Sequence, residues 1–169
     1  MSAEERRFLL HEVGRFCQIA SEIQGVKRIS LVGSLTMAKN NPKDADLVVI
    51  IREDIDLEKL AIAGRKIKGK AQSRNLGADI FLADENGKYL GRTCSWRECH
   101  VRAACRGNQC YLGTFLCDDL QVVSLDQGLI LQPPLDLWPT INRRESLPID
   151  VETILANVSS PPNKALQSD

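Results

Sequence analysis

No apolar run in this chain approaches the roughly 20 residues that a membrane-spanning helix needs. Net charge is missing as well. Lys+Arg and Asp+Glu each number 22, so the whole-chain field gives no reason to seek nucleic acid or an anionic membrane. An electrostatic partner must then be met by a local patch. The opening MSAEERRF is charged where a secretory leader would be apolar, and a cytoplasmic setting is the resulting expectation. Internal repeats are absent too. What remains is a 169-residue chain, 43% hydrophobic, which suits one domain of ordinary size with a real core. Thiols stay reduced in the cytoplasm, so its six cysteines point to metal before disulfide.

Apolar positions Leu9, Val13, Phe16, Ala20 and Ile23 recur at steps of four and three, which is one face of a helix over roughly 3–24. Ser2 and Glu5 have capping-box spacing at its start, and Gly25 stands at its stop. Val26 to Val32 reads as a strand that delivers Gly33-Ser34. Residues 35–43 begin as one helical turn and continue as an Asn-Asn-Pro loop. The uninterrupted Leu47–Ile51 run is the pattern of a central strand buried on both faces. A helix over about 56–69, a strand over 78–83 and a turn at 85–88 come next. Short strands are expected at about 115–125 and 128–132. Beyond Pro133 the prolines predict an irregular wrap, with a disordered tail from about 155.

The carboxylates are the chemical feature. With nine residues between them and Gly33-Ser34, Asp44 and Asp46 stand one residue apart at the head of the apolar run. Residues i and i+2 of a strand share a face, so both can aim at one spot if the strand begins by 44. Close carboxylates repel unless a cation lies between them. Magnesium takes one or two carboxylates plus substrate phosphate oxygens. Asp79 heads another strand, and pairing beside 45–51 would add it to the cluster. Three carboxylates could then hold two metals about 3.5–4 Å apart, which suits in-line displacement at phosphorus. Gly33 lets the backbone approach a phosphate, and the Ser34 hydroxyl adds a donor. Each piece alone also has a plain structural reading as a turn or a strand start.

The order Val32-Gly33-Ser34, Asp44-Ala45-Asp46 and a later Asp79 resembles the nucleotidyltransferase superfamily. That superfamily includes DNA polymerase beta, the aminoglycoside nucleotidyltransferases and the small stand-alone "minimal" members. The likeness covers about residues 3–83. It implies an α/β (α+β) nucleotidyltransferase fold, with a mixed central sheet flanked by helices. It also implies two Mg2+ ions on Asp44, Asp46 and Asp79, with Asp79 helping to deprotonate an acceptor hydroxyl. Gly33 and Ser34 would hold the triphosphate of an NTP. The implied reaction is nucleotidyl transfer with loss of pyrophosphate. Minimal members often work with a separate helical partner, sometimes as the antitoxin half of a pair. Where such members carry an arginine-rich run, this chain has Leu35–Lys39, and Lys43 replaces a frequent serine. Lys39 and Lys43 are the candidate substitutes as phosphate contacts; the other reading of each is a solvated loop lysine.

Residues 91–113 are rich in Cys and Arg. Cys94, Cys99, Cys105 and Cys110 form two pairs with four-residue spacers, the long end of zinc-pair spacing, and His100 is an alternative ligand. A structural Zn2+ would staple this loop; reduced packing cysteines, disulfides and an iron–sulfur cluster are the competing readings. Cys17 and Cys117 read as packing. Arg92, Arg97, Arg102 and Arg106, and the run Arg65, Lys66, Lys68, Lys70 and Arg74, could hold phosphates or RNA; for 65–74 a solvated helix face is the plainer reading. Trp96 is a candidate for base stacking, with local packing as its other role.

The expected organisation is a nucleotidyltransferase core over 1–90, a Cys/Arg-rich extension with added strands over 91–135, and a proline-containing wrap and tail over 136–169. The expected function is transfer of a nucleotidyl group to a protein, RNA or small-molecule acceptor. Two alternatives stand beside it: a non-catalytic NTP/Mg2+-binding regulatory module, and an RNA-binding zinc protein.

Overall fold

The computed structural model describes residues 2–38, 41–93, 116–117 and 124–158. Its elements in order are α1 (Ser2–Ala20), β1 (Val26–Val32), a 3-10 turn (Gly33–Thr36), β2 (Asp44–Ile51), α2 (Leu57–Gln72), β3 (Gly77–Ala83) and β4 (Tyr89–Thr93). Then come β5 (Leu116–Cys117), α3 (Gln127–Leu131), β6 (Leu135–Trp138), β7 (Asn142–Arg143) and α4 (Ile149–Leu155). The chain is therefore mixed α+β.

Among the described residues the strands form one sheet in the order β5-β4-β3-β2-β1-β6-β7. The β2–β3 pair is parallel and every other pair antiparallel. A parallel neighbour needs a crossover connection, and α2 supplies it. Asp56 starts α2 by accepting from the Glu58 and Lys59 amides.

Alternation along β2 sorts its side chains. Ala45, Leu47, Val49 and Ile51 join the main core with Leu9, Phe16, Leu60 and Ile67 of the helices. Val48 and Ile50 turn to the opposite face, where Val32, Phe81, Ala83 and Ile130 form a smaller cluster. Residues 47–51 are all buried, as the unbroken apolar run requires. Asp44 and Asp46 share the parity of Val48 and Ile50, so they stand at the polar end of that second face.

Three expectations are corrected. Residues 127–131 form a helix where the sequence suggests a strand over 128–132: Asp126 caps it by accepting from the Gly128 amide, and Ile130 is its buried contact. The stretch after Pro133 is not merely irregular, because β6 pairs with β1 and α4 packs against α1. Nor is 65–74 a uniformly solvated face. Lys68 is buried, and the Arg74 guanidinium lies over the Phe8 ring at 4.2 Å and reaches Glu4 at 3.4 Å. Cys17 is buried, as expected, and burial pushes its thiol pKa far up. His11 is exposed. Among the described residues no helix is long and apolar enough to cross a membrane.

Candidate active site

Strand register assembles the site. Val32 of β1 pairs with Asp46 of β2, and Asp46 pairs with Asp79 of β3. Parallel partners in register present their side chains to the same face, so Asp79 stands beside Asp46. Asp44, two residues earlier on the same strand, lies across from Gly77. The two aspartates of the Asp-x-Asp and the later Asp79 are thus neighbours on one side of the sheet, as the spacing implies.

Two glycines make the room. Gly33 has φ +74°, a left-handed conformation that suits glycine. A Cβ there would lie 2.5 Å from Asp46 Oδ2. The turn therefore runs directly against that carboxylate because residue 33 lacks a side chain. At Gly77 a Cβ would come within 2.1 Å of Asp44 Oδ1. Ser34 is half-buried in the turn. Thr36 Oγ1 closes the turn by donating to the Gly33 carbonyl at 2.7 Å. The turn is also tied to the core: Arg6 of α1 donates through Nη2 to the Leu35 carbonyl at 2.8 Å and through Nε to Asp150 of α4 at 2.5 Å.

The electrostatics single out Asp46. Its pKa is raised from 3.8 to about 6, first by burial, then by Asp79 and Asp44. Both neighbouring carboxylates act on it, which places all three within electrostatic reach. A cation beside Asp46 would relieve that penalty. Asp79, by contrast, already has cations: Lys68 Nζ lies 3.0 Å and Arg92 Nη1 3.4 Å from its Oδ1.

An oxygen-only donor pair on one face of a strand, with no lysine or arginine paired to Asp46 among the described residues, fits a hard divalent cation such as Mg2+. Asp44 and Asp46 are the residues that would hold it. The full three-carboxylate set fits less well. Lys68 and Arg92 already hold the Asp79 carboxylate; among the described residues no group of three or more His, Cys, Asp or Glu is arranged to hold a metal ion.

Lys43 is exposed, and its carbonyl accepts from the Gly77 amide at 2.7 Å. Lys39, the zinc candidates Cys94, Cys99, Cys105, Cys110 and His100, and also Trp96, Arg97, Arg102 and Arg106, lie outside the described residues. Sequence reasoning missed Lys68 and Arg92 as partners of Asp79, and Arg6 as the anchor of the turn. Gly64, one helical turn before Lys68, is the small residue that permits the approach, but its meaning depends on the distant Thr93.

A family model described as "Family of unknown function (DUF6932)" matches residues 1–110, a span that contains every residue of this site. No curated protein and no solved structure matches the chain.

Proposed function

We propose that this chain, which belongs to the DUF6932 family, transfers a nucleotidyl group from a nucleoside triphosphate to an acceptor hydroxyl at the Asp44–Asp46 site. One observation carries the reading. Asp46 is wedged between the Gly33 turn and Asp79, with its charge opposed by burial and by two other carboxylates. Such a placement costs stability in the free protein and makes sense where a cation and a phosphate chain complete it. Mg2+, when bound, supplies charge neutralisation and polarises the phosphoryl oxygens.

The chain's own residues divide the remaining work. Gly33 and Ser34 bring backbone and a hydroxyl against the triphosphate, beside Asp46. Asp44 and Asp46 would hold the cation and so set where the triphosphate lies. Arg6 keeps the turn in place through the Leu35 carbonyl. In the transfer, the acceptor oxygen bonds to the α-phosphorus, the bond to the bridging oxygen breaks and pyrophosphate leaves. The hydroxyl proton passes to solvent water, because Asp79 is already held by Lys68 and Arg92. The acceptor is a protein side chain, an RNA end or a small molecule, and a helical partner protein is the candidate to present it.

The ion pairs on Asp79 favour a second reading, a module that binds Mg2+–NTP without turnover. Incubation with each NTP labelled at the α-phosphate, with Mg2+ and with or without cell extract, separates the two. Transfer of label that disappears in D44N supports the enzyme. Binding without transfer supports the module, and failure to bind any NTP overturns both.

A further inference from the structure

Lys68 is 5% exposed. It belongs to α2, which packs on the sheet face opposite the carboxylates. A buried ammonium needs both an anion and hydrogen-bond acceptors, and Lys68 has them. Its Nζ lies 3.0 Å from Asp79 Oδ1 and donates to the Thr93 carbonyl at 3.1 Å. Gly64, one turn earlier, permits the approach: a Cβ there would sit 2.7 Å from Thr93 Oγ1 and 3.2 Å from Ile80 Cγ1. Helix α2 is therefore drawn in against the end of β4 at the place where the lysine must reach through. Arg92 of β4 adds its own contact to the same Oδ1 at 3.4 Å. These cations are fixtures of the fold, on separate elements, and they converge on one carboxylate oxygen.

Charge counting then divides the three aspartates. Asp79 is balanced by Lys68 and Arg92. Asp44 and Asp46 have no ion pair with a lysine or arginine among the described residues. A second divalent ion on Asp79 would have to sit against an ammonium and a guanidinium that already hold that carboxylate. Like charges at such range repel, and the Lys68 and Arg92 side chains are only 6% and 15% exposed, although Asp79 itself is partly open to solvent.

We propose that this site takes one divalent cation, held by Asp44 and Asp46, and that Asp79 is the counter-ion of Lys68 and Arg92 rather than a metal ligand. The inference rests on the metal–nucleotide reading of the site and fixes the metal count within it.

The test is a Mn2+ titration of the full chain without nucleotide, following the free-ion signal by electron paramagnetic resonance. One Mn2+ per wild-type chain is expected, and none in D44N. The K68M/D79N double variant removes a carboxylate and an ammonium together, so the local charge balance is kept. It is expected to bind one Mn2+ with a Kd within fivefold of wild type. Two Mn2+ per wild-type chain overturns the inference while leaving the metal–nucleotide reading intact, and so does a Kd weakened fivefold or more in the double variant. No Mn2+ on the wild type overturns the reading itself, and the inference falls with it. Should the double variant lose its far-UV circular dichroism spectrum, the wild-type count still decides.

Discussion

Asp46 holds a proton more tightly in the folded chain than in the unfolded one, with its pKa near 6 against 3.8. The sign comes from linkage. Its contribution to stability is full below pH 3.8 and is lost as the pH rises through 6. Above that the metal-free fold carries an ionised carboxylate disfavoured by about 3 kcal/mol, at 1.36 kcal/mol for each pKa unit. D46N keeps the shape and removes the charge. In EDTA at pH 7.5 it is expected to exceed wild type in stability by about 1–3 kcal/mol, with the gap closing by pH 4. Mg2+ should narrow the gap at pH 7.5 by stabilising wild type alone. Urea unfolding at the two pH values, with and without Mg2+, checks this. A wild type more stable than D46N at pH 7.5 in EDTA would contradict it. Much at this scale is legible in the sequence. Spacing locates Asp44, Asp46 and Gly33, because strand alternation and the need for a bare backbone are local properties. Lys68 is not legible, since its burial depends on how closely α2 meets Thr93, a contact between residues 25 apart.

At the level of elements, the 3-10 turn that carries Gly33 and Ser34 is held from outside. Arg6 is 7% exposed and joins three elements: α1 by its backbone, the turn through the Leu35 carbonyl, and α4 through Asp150. R6M preserves most of the buried stem but leaves the Leu35 carbonyl without the Arg6 donor and Asp150 with only the Val151 amide. The expected loss is about 2 kcal/mol. D150N should lose less than half of that, because the Asp150 side chain is 38% exposed and water replaces the bond. Hydrogen exchange at the Leu35 and Thr36 amides should speed up in R6M well beyond the global change, which distinguishes a loosened turn from general destabilisation. The elements themselves are unevenly readable. Strand β1 matches its expected bounds because Gly25 and Gly33, both at positive φ, punctuate it on either side. Helix α3 reads as a strand, since the three-residue apolar run Leu129–Leu131 has no readable period. Strand β6 is hidden between Pro133-Pro134 and Pro139: four residues with prolines at both ends look like loop until β1 is known to lie alongside.

The molecule as a whole depends on its C-terminal third, although the site lies entirely before it. Strand β6 inserts the far end of the chain beside β1, whose C-terminal end leads into the site turn. Asp136 is buried there. It accepts from Ser30 Oγ at 2.7 Å and pairs with Arg144 at 2.8 Å and Arg28 at 3.4 Å. Six apolar side chains beyond residue 123, namely Ile130, Leu135, Leu137, Leu147, Val151 and Leu155, are buried against the sheet and helices. At about 1.5–3 kcal/mol each, their loss would remove on the order of 10 kcal/mol, comparable with the entire stability of a domain this size. Cutting the chain after residue 123 would also leave the Ser30 hydroxyl and the Arg28 guanidinium on a bared strand, and would expose one edge of β1. The 1–123 fragment is therefore expected to lose the cooperative unfolding transition of the full chain and to collect in the insoluble fraction. Co-expression of 124–169 as a separate chain should restore soluble material by supplying β6 and α4. A 1–123 fragment that melts cooperatively within a few degrees of the full chain would show that the residues carrying the site fold without their C-terminal neighbours.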